Sequence, residues 1–503
     1  MSKPSYEALV GTLRKTATLK SVADLVSWDQ ETYMVGGAAE ARSDQMSLLA
    51  GMLHERQTSS ELGDMIAACE EDGEVMGDEL QSANVRESRR DFDLETKLPA
   101  DLVAEAAKVG SQSQEAWKEA RAKSEFSLFE PYMEKMLQLT RRKAECYGYA
   151  EGGELYDALL NLYEPGATAK QVEAIFAPLR GRLAGLIAEL ADSSSPPDES
   201  PLDISMEQAR QHEFGQFVLK TMGFDLGTGR LDTTAHPFCS GIAPGDTRLT
   251  TRYGGRFTES LYGTMHEGGH GLYEQGLPKT AFHGLPVSEA VSLGIHESQS
   301  RLWENLVGRS EAFWTWAMPH ARTMLNSKLK DVSVEHMYRA VNTARPSLIR
   351  VEADEATYNL HIMLRFELER AMLVGDLAVK DLPDAWNAKV QEYLGIEVQN
   401  DSEGCLQDVH WSFGLMGYFP TYCLGNLYAS QFWEALQKDL PNLSDSIAAG
   451  EFGGLRGWLQ ENIHAHGRRY SAAELCQRAT GQALSADPMM RHLEETLRPI
   501  YGV

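Results

Sequence analysis

Leu179-Arg-Gly-Arg-Leu183-Ala-Gly-Leu186-Ile-Ala-Glu-Leu190 sets a leucine at i, i+4, i+7 and i+11. On a helix of 3.6 residues per turn that spacing stacks the four side chains into one apolar stripe. Upstream, residues 101–145 are rich in Ala, Glu, Lys, Leu and Met, all good helix formers. No alternation of strand and helix patterns runs along the chain, so a parallel sheet is not expected. The fold class reads as mainly α-helical.

Downstream of the stripe, Asp192-Ser-Ser-Ser-Pro-Pro-Asp-Glu-Ser-Pro201 is a loop by composition. Ser205 and Gln208 have capping-box spacing, which predicts the next helix start at Ser205. The helical style is the same on both sides, so the loop reads as a surface feature of one fold spanning 1–503. Residues 70–90, rich in Glu, Asp and Gly, read as a solvated connection. Residues 226–255 break the pattern with Gly, Thr, Pro and short β-branched runs, which predicts a small antiparallel sheet or hairpin.

The 503 residues carry 47 Lys+Arg against 73 Asp+Glu, a formal net charge of −26. Such a chain is a poor partner for nucleic acid or an anionic membrane surface. The densest basic cluster, Arg141-Arg142-Lys143, is too short to reverse that. No run approaches the ~18 apolar residues of a membrane span. The stretch Met1 to Glu7 lacks the apolar core of a signal peptide. Six scattered cysteines without a CxxC pair fit a reducing cytosol.

Of 14 histidines, nine lie between His236 and His410, and only His54 falls in the first 200 residues. Clustering of a metal-binding, titratable side chain points to that third of the chain. One His-Glu dipeptide completes a motif, His266-Glu267-Gly268-Gly269-His270. On a helix, His266 and His270 share a face and can grip one ion. Glu267 sits one residue along, where it can take a proton from a water that zinc acidifies towards pKa ~7. Gly268 and Gly269 each cost about 1 kcal/mol in a helix interior. They fit a helix over which substrate or neighbouring backbone passes closely.

A catalytic zinc needs three protein ligands and an open position. His296-Glu297-Ser298-Gln299 begins 26 residues after His270, inside a helical run from Val287 to Val307. Two antiparallel helices, joined by a loop with Pro278 and Pro286, would set Glu297 beside the histidines. A third histidine at HExxHxxGxxH spacing is absent. His296 reads as a packing residue or as support for a ligand.

Three further stretches are dense in polar and aromatic groups. In a helix, Arg350, Asp354, Tyr358, His361 and Arg365 form one stripe, either a solvated face or the wall of a groove. In a groove, Arg350 would be free to bind a carboxylate bidentately. The stretch from Gly404 to Tyr422 holds His410, Tyr418 and Tyr422, whose N–H and O–H groups suit an oxyanion. His236 and Asp246-Thr-Arg248-Leu-Thr250 lie in the β segment, whose edge could take a peptide by strand addition.

Together, Asp-Thr-Arg-Leu-Thr (246–250), His-Glu-Gly-Gly-His (266–270), His-Glu-Ser-Gln (296–299), Ile-Arg-Val-Glu-Ala-Asp (349–354) and Gly-Cys-Leu-Gln-Asp-Val-His-Trp (404–411) make the chain resemble the thermostable carboxypeptidase family, the Taq-type metallocarboxypeptidases. The resemblance implies a saddle-like fold with a deep groove, similar to the angiotensin-converting-enzyme and neurolysin group. It implies a cytoplasmic homodimer that releases C-terminal residues from peptides with broad specificity, proline being disfavoured. It implies one zinc ion per chain, replaceable by cobalt, on His266, His270 and Glu297, with Glu267 as general base. By similarity, Arg350 takes the C-terminal carboxylate, His410, Tyr418 and Tyr422 hold the scissile carbonyl, and His236 meets the substrate backbone. The ligand set leaves a zinc oligopeptidase cutting internal bonds as the alternative, and a non-catalytic helical binding protein as a third reading. The excess acid lies largely outside the motif-bearing third, where Arg248, Arg350 and Arg365 gather. It reads as a solubilising exterior around a groove with local cationic points.

Overall fold

A computed structural model describes residues 4–503. The leucine stripe forms the helix Ala169–Ala191, opened by a capping box between Thr168 and Gln171. Leu179, Leu183, Leu186 and Leu190 are all buried. Residues 101–145 form two helices, Ala100–Lys123 and Glu130–Tyr147, which break at Ser124, a left-handed residue with φ 54°. Among the described residues there are 22 α-helices and one three-stranded sheet. None of those helices is long and apolar enough to cross a membrane.

The sheet differs from the expected antiparallel element. Its strands are β1 (Gly229–Thr233), β2 (Cys239–Ala243) and β3 (Asp246–Thr251), in the order β1-β3-β2. β2 and β3 are antiparallel, joined by a tight turn at Gly245, where φ is 79°. β1 and β3 are parallel. The five-residue loop 234–238 is long enough to step across two strand spacings, roughly 10 Å. β3 therefore folds back into the gap between its predecessors, and a parallel pair arises without a crossover helix.

Three other local expectations change. Residues 70–90 are helical rather than a connection, because Asp72 and Asp78 act as N-caps for Gly73–Met76 and Glu79–Thr96. The helix after the 192–201 loop starts at Gln208, not Ser205. The Ser205 carbonyl accepts from the Asn326 side chain and the Met206 carbonyl from Gln211, which holds that backbone extended. The Arg350–Arg365 stripe is not one helix. Asp354 instead accepts from the backbone N–H groups of Arg345, Ala356 and Thr357. That turn separates a short 3-10 segment, Arg350–Glu352, from the helix Tyr358–Val374.

One apolar cluster extends from Trp117 to Tyr501 and includes residues on both sides of the 192–201 loop. A smaller cluster around Leu9, Ile66 and Val85 belongs to the N-terminal helices. The first of these, Pro4–Thr32, meets the sheet through Trp28, whose ring lies 5.1 Å from the Arg230 guanidinium and 4.2 Å from that of Arg248. Arg248 also donates twice to Asp246. It is a docking element of the sheet, not a free cationic point.

Candidate metal centre and substrate groove

His266, Glu267 and His270 lie on the helix Phe257–Gly276, called here the motif helix. β3 packs against it, so that Gly271 faces Leu249 and Phe224. Glu297 lies on the helix Leu293–Arg301, which begins at the cap Ser292 rather than at Val287. Just beyond it the chain widens into a π-helical turn, Leu302–Val307. Such turns recur at functional sites, and this one carries Glu304.

Glu297 Oε2 stands 3.7 Å from His266 Nε2 and 3.5 Å from His270 Nε2. The three ligand atoms lie within 4.8 Å of one another. Tetrahedral ligands at bond lengths of about 2.0–2.1 Å are separated by roughly 3.4 Å. The opposite ring nitrogens are taken: His266 Nδ1 pairs with Glu304 Oε2 at 2.8 Å, and His270 Nδ1 with the His296 carbonyl at 3.0 Å. Both Nε2 atoms thereby face Glu297 Oε2 while Nδ1 is engaged behind, the arrangement seen around ligating histidines. The donor set therefore fits a divalent ion that takes nitrogen and oxygen ligands.

The glycines of the motif show why the helices can come this close. A Cβ on Gly269 would lie 2.5 Å from the Gln299 carbonyl oxygen and 2.7 Å from Ser300 Cα. The close passage expected over this helix is that of the Gln299–Ser300 backbone, on the helix that carries Glu297. On the other side, a Cβ on Gly425 would lie 2.6 Å from Glu297 Cγ. Glu297 is thus held between the motif helix and the helix Pro420–Asp439.

Around the ligands runs a set of carboxylates and arginines. Arg301 donates to Glu297 Oε1 at 2.7 Å and to Glu304 at 3.2 Å. Burial would raise Glu304, yet Arg301 and His266 hold it down to about 2. Glu267 is buried, and its carboxylate makes no hydrogen bond among the described residues. Burial, with Glu297 and Glu304 close by, pushes it up to about 7, suited to taking and returning a proton near neutrality. His296 supports its neighbour, with Nε2 on Glu274 Oε1 at 2.9 Å and Glu274 in turn paired with Lys279.

Arg350, His410, Tyr418 and Tyr422 form a second cluster. Arg350 is not free, as its position in a groove suggested. It is buried, with Nε and Nη2 donating to Asp408 Oδ1 and Nη1 donating to the Tyr358 hydroxyl at 3.0 Å. Its guanidinium lies 5.2 Å from the Tyr422 ring. Tyr422 meets His410 Nε2 at 3.5 Å and the Tyr418 ring at 5.4 Å. Burial, outweighing the pull of Asp408 and aided by Arg350 and Arg365, lowers His410 to about 4. A neutral imidazole and neutral phenols line this face. His236 stands apart from both clusters, exposed on the loop between β1 and β2.

The clusters are joined through Tyr358. Its ring carries the Arg301 guanidinium at 4.6 Å, and its hydroxyl accepts from Arg350. Sequence reading missed Arg301 and Glu304, although both follow Glu297 at helical intervals of four and seven. It quoted Asp408 without giving it a role. Gly425 left no signal at all.

The profile described as Carboxypeptidase Taq (M32) metallopeptidase matches residues 8–497. The chain is 44% identical over 508 residues to thermostable carboxypeptidase 1 of Thermus thermophilus, covering 99% of each. It is 36% identical to carboxypeptidase 1 of Bacillus subtilis, covering 97% of each. The crystal structure of the M32 carboxypeptidase from Deinococcus radiodurans R1 superposes with a TM-score of 0.96 at 42% identity, covering 100% of both chains.

Proposed function

We propose that this chain, which belongs to the carboxypeptidase Taq (M32) metallopeptidase family, releases C-terminal residues from peptides with one zinc ion held by His266, His270 and Glu297. Broad specificity with proline disfavoured, and tolerance of cobalt, are part of this reading. The observation that carries it is the convergence of both Nε2 atoms on Glu297 Oε2, with the unpaired Glu267 beside them. When bound, the ion polarises the scissile carbonyl and acidifies the attacking water. Glu267 takes the proton of that water and passes it to the leaving amine. His410, Tyr418 and Tyr422 offer donors to the oxygen that gains charge. Arg350, oriented by Asp408, supplies the positive charge for the substrate's terminal carboxylate. β2 is an edge strand of the sheet, so an extended peptide can add to it, with His236 on the adjoining loop.

Glu267→Gln tests the mechanism. The variant is expected to keep its metal and lose turnover, and normal hydrolysis by it would refute the role. Mass analysis of the products separates the carboxypeptidase reading from an oligopeptidase. Stepwise loss of single C-terminal residues, and loss of most activity on a C-terminally amidated peptide, support the first; equal cleavage of both forms supports the second. We also propose a groove of the angiotensin-converting-enzyme and neurolysin kind, a homodimer and a cytoplasmic location. The six free cysteines are consistent with that location.

A further inference from the structure

Asp408 serves two arginines, one on each oxygen. Oδ1 accepts from Arg350 Nε and Nη2 at 3.1 and 2.7 Å. Oδ2 accepts from Arg365 Nε at 2.8 Å and lies 2.6 Å from Arg365 Nη2. Arg365 has no exposed surface, and Arg350 and Asp408 have almost none. Two guanidinium charges thus share one carboxylate in a region where desolvation is costly. The arrangement is unusual, because a single Arg–Asp pair would cost less.

The neighbours do not cancel the excess. His361 Nε2 bonds the Ser347 carbonyl, His410 Nε2 meets Tyr422, and Tyr358 and Tyr422 are phenols. Burial and the two arginines keep both imidazoles uncharged near neutrality. Glu369, one turn beyond Arg365, accepts from Trp411 Nε1, the Tyr156 hydroxyl and the Gly417 N–H, but burial pushes its carboxyl up to about 7, so below neutrality it is mostly the uncharged acid. Arg365 itself is fixed by the His361 carbonyl and the Trp386 ring, 4.5 Å away. Its remaining function is electrostatic. Without it, Asp408 would neutralise Arg350.

We propose that Arg365 is a positioning residue for substrate specificity: by occupying Asp408 Oδ2 it leaves the Arg350 charge uncompensated, so the closed cluster carries one positive charge that a peptide's α-carboxylate neutralises. The proposal rests on the reading of Arg350 as the carboxylate-binding group. It predicts that the preference for a free carboxylate follows the net charge of the trio rather than the presence of any one hydrogen bond.

The test uses the metal-loaded full chain at pH 6.5, with L-phenylalanine and L-phenylalaninamide as competitive inhibitors. The readout is the ratio of the amide's Ki to the acid's, with metal content checked in each variant. Arg365→Gln is expected to lower that ratio on the order of tenfold. Adding Asp408→Asn to it is expected to restore most of the ratio, because the net charge returns to one. In that double variant the amide oxygen at 408 still accepts from Arg350, and its NH2 can donate to the glutamine at 365. A merely structural role predicts the opposite, a double variant worse than either single. Should Arg365→Gln fail to fold, Asp408→Asn alone still decides: a ratio that holds or rises supports the charge account, and a fall overturns it. An unchanged ratio in Arg365→Gln, where Arg350→Gln abolishes the preference, also overturns it. If Arg350→Gln leaves the ratio intact, the carboxylate reading of Arg350 is what fails.

Discussion

Gly425→Ala probes how Glu297, the proposed third ligand, is placed. The new Cβ would lie 2.6 Å from Glu297 Cγ and 2.7 Å from Glu297 Cβ. An ordinary carbon contact begins near 3.4 Å, so a gap of roughly 0.8 Å must open. Glu297 cannot retreat towards the motif helix, because the Gln299 carbonyl and Ser300 already press on Gly269. It cannot rotate freely either, since Arg301 holds Oε1 and Ser300 Oγ lies 3.2 Å from Oε2. The strain therefore has two outlets. Overpacking of a closed core costs about 1–3 kcal/mol. A displaced ligand costs more in function, because metal–ligand distances tolerate only about ±0.2 Å.

We expect Gly425→Ala to fold with a modestly lowered melting temperature and to lose metal affinity by about 10- to 100-fold, the scale seen when support around a ligand is removed. Chelator competition followed by metal analysis measures the affinity. Activity recovered at high added metal would show that the chemistry itself survives. A variant with wild-type metal affinity and wild-type turnover would refute the argument that the two glycines fix Glu297.

Further predictions concern other parts of the site and scaffold. Glu304→Ala removes the partner of His266 Nδ1 and should weaken metal binding by about 10- to 100-fold, whereas Glu304→Gln, which keeps an acceptor, should lose much less in the same competition assay. Gly185→Ala is a control with the opposite sign: its Cβ meets nothing within 4 Å in the helix Ala169–Ala191, so urea unfolding should show a gain of about 0.4–1 kcal/mol with metal affinity unchanged. Burial pushes the Glu369 carboxyl up to about 7, above its unfolded value. Its contribution to stability is full below the unfolded pKa and is lost as pH rises through about 7, with a slope of at most about 1.4 kcal/mol per pH unit. Glu369→Gln should remove that share of the decline in unfolding free energy between pH 5 and 8, and an unchanged slope would count against burial as the cause.

The convergence of His266, His270 and Glu297 could be read from the chain because its geometry is local. His266 and His270 are one helical turn apart, and Glu297 had only to lie on the next antiparallel helix. The adjacent glycines carried information of the same kind, since a helix with two such residues must give room to something. Some of what reading missed was also local, such as Arg301 and Glu304 one and two turns past Glu297, but the larger misses were set by distant packing. The Arg350–Arg365 periodicity was a true regularity with the wrong cause: Asp354 breaks the helix, and the two arginines meet again only through Asp408, 43 residues beyond Arg365. The parallel β1–β3 pair was hidden for a similar reason, because its partner strand arrives by a hairpin turn and not by a crossover helix.

Net charge gives a last example of composition losing meaning at the site. The excess of 26 negative charges over the whole chain argues against an anionic substrate, yet the groove chemistry proposed here needs an anion's carboxylate. The conflict dissolves when burial is considered. Exposed carboxylates act through water and salt and are screened over about 8–10 Å. Arg350, Arg365 and Asp408 are almost wholly out of water, where each charge acts on its neighbours with far less screening. On the proposed reading, the sign a substrate meets is therefore set by three buried side chains, whereas the acidic exterior governs solubility. Raising salt should then weaken non-specific attraction between peptides and the surface while leaving the preference for a free carboxylate nearly intact. A preference that collapsed between 50 mM and 500 mM salt would place its origin on the exterior instead.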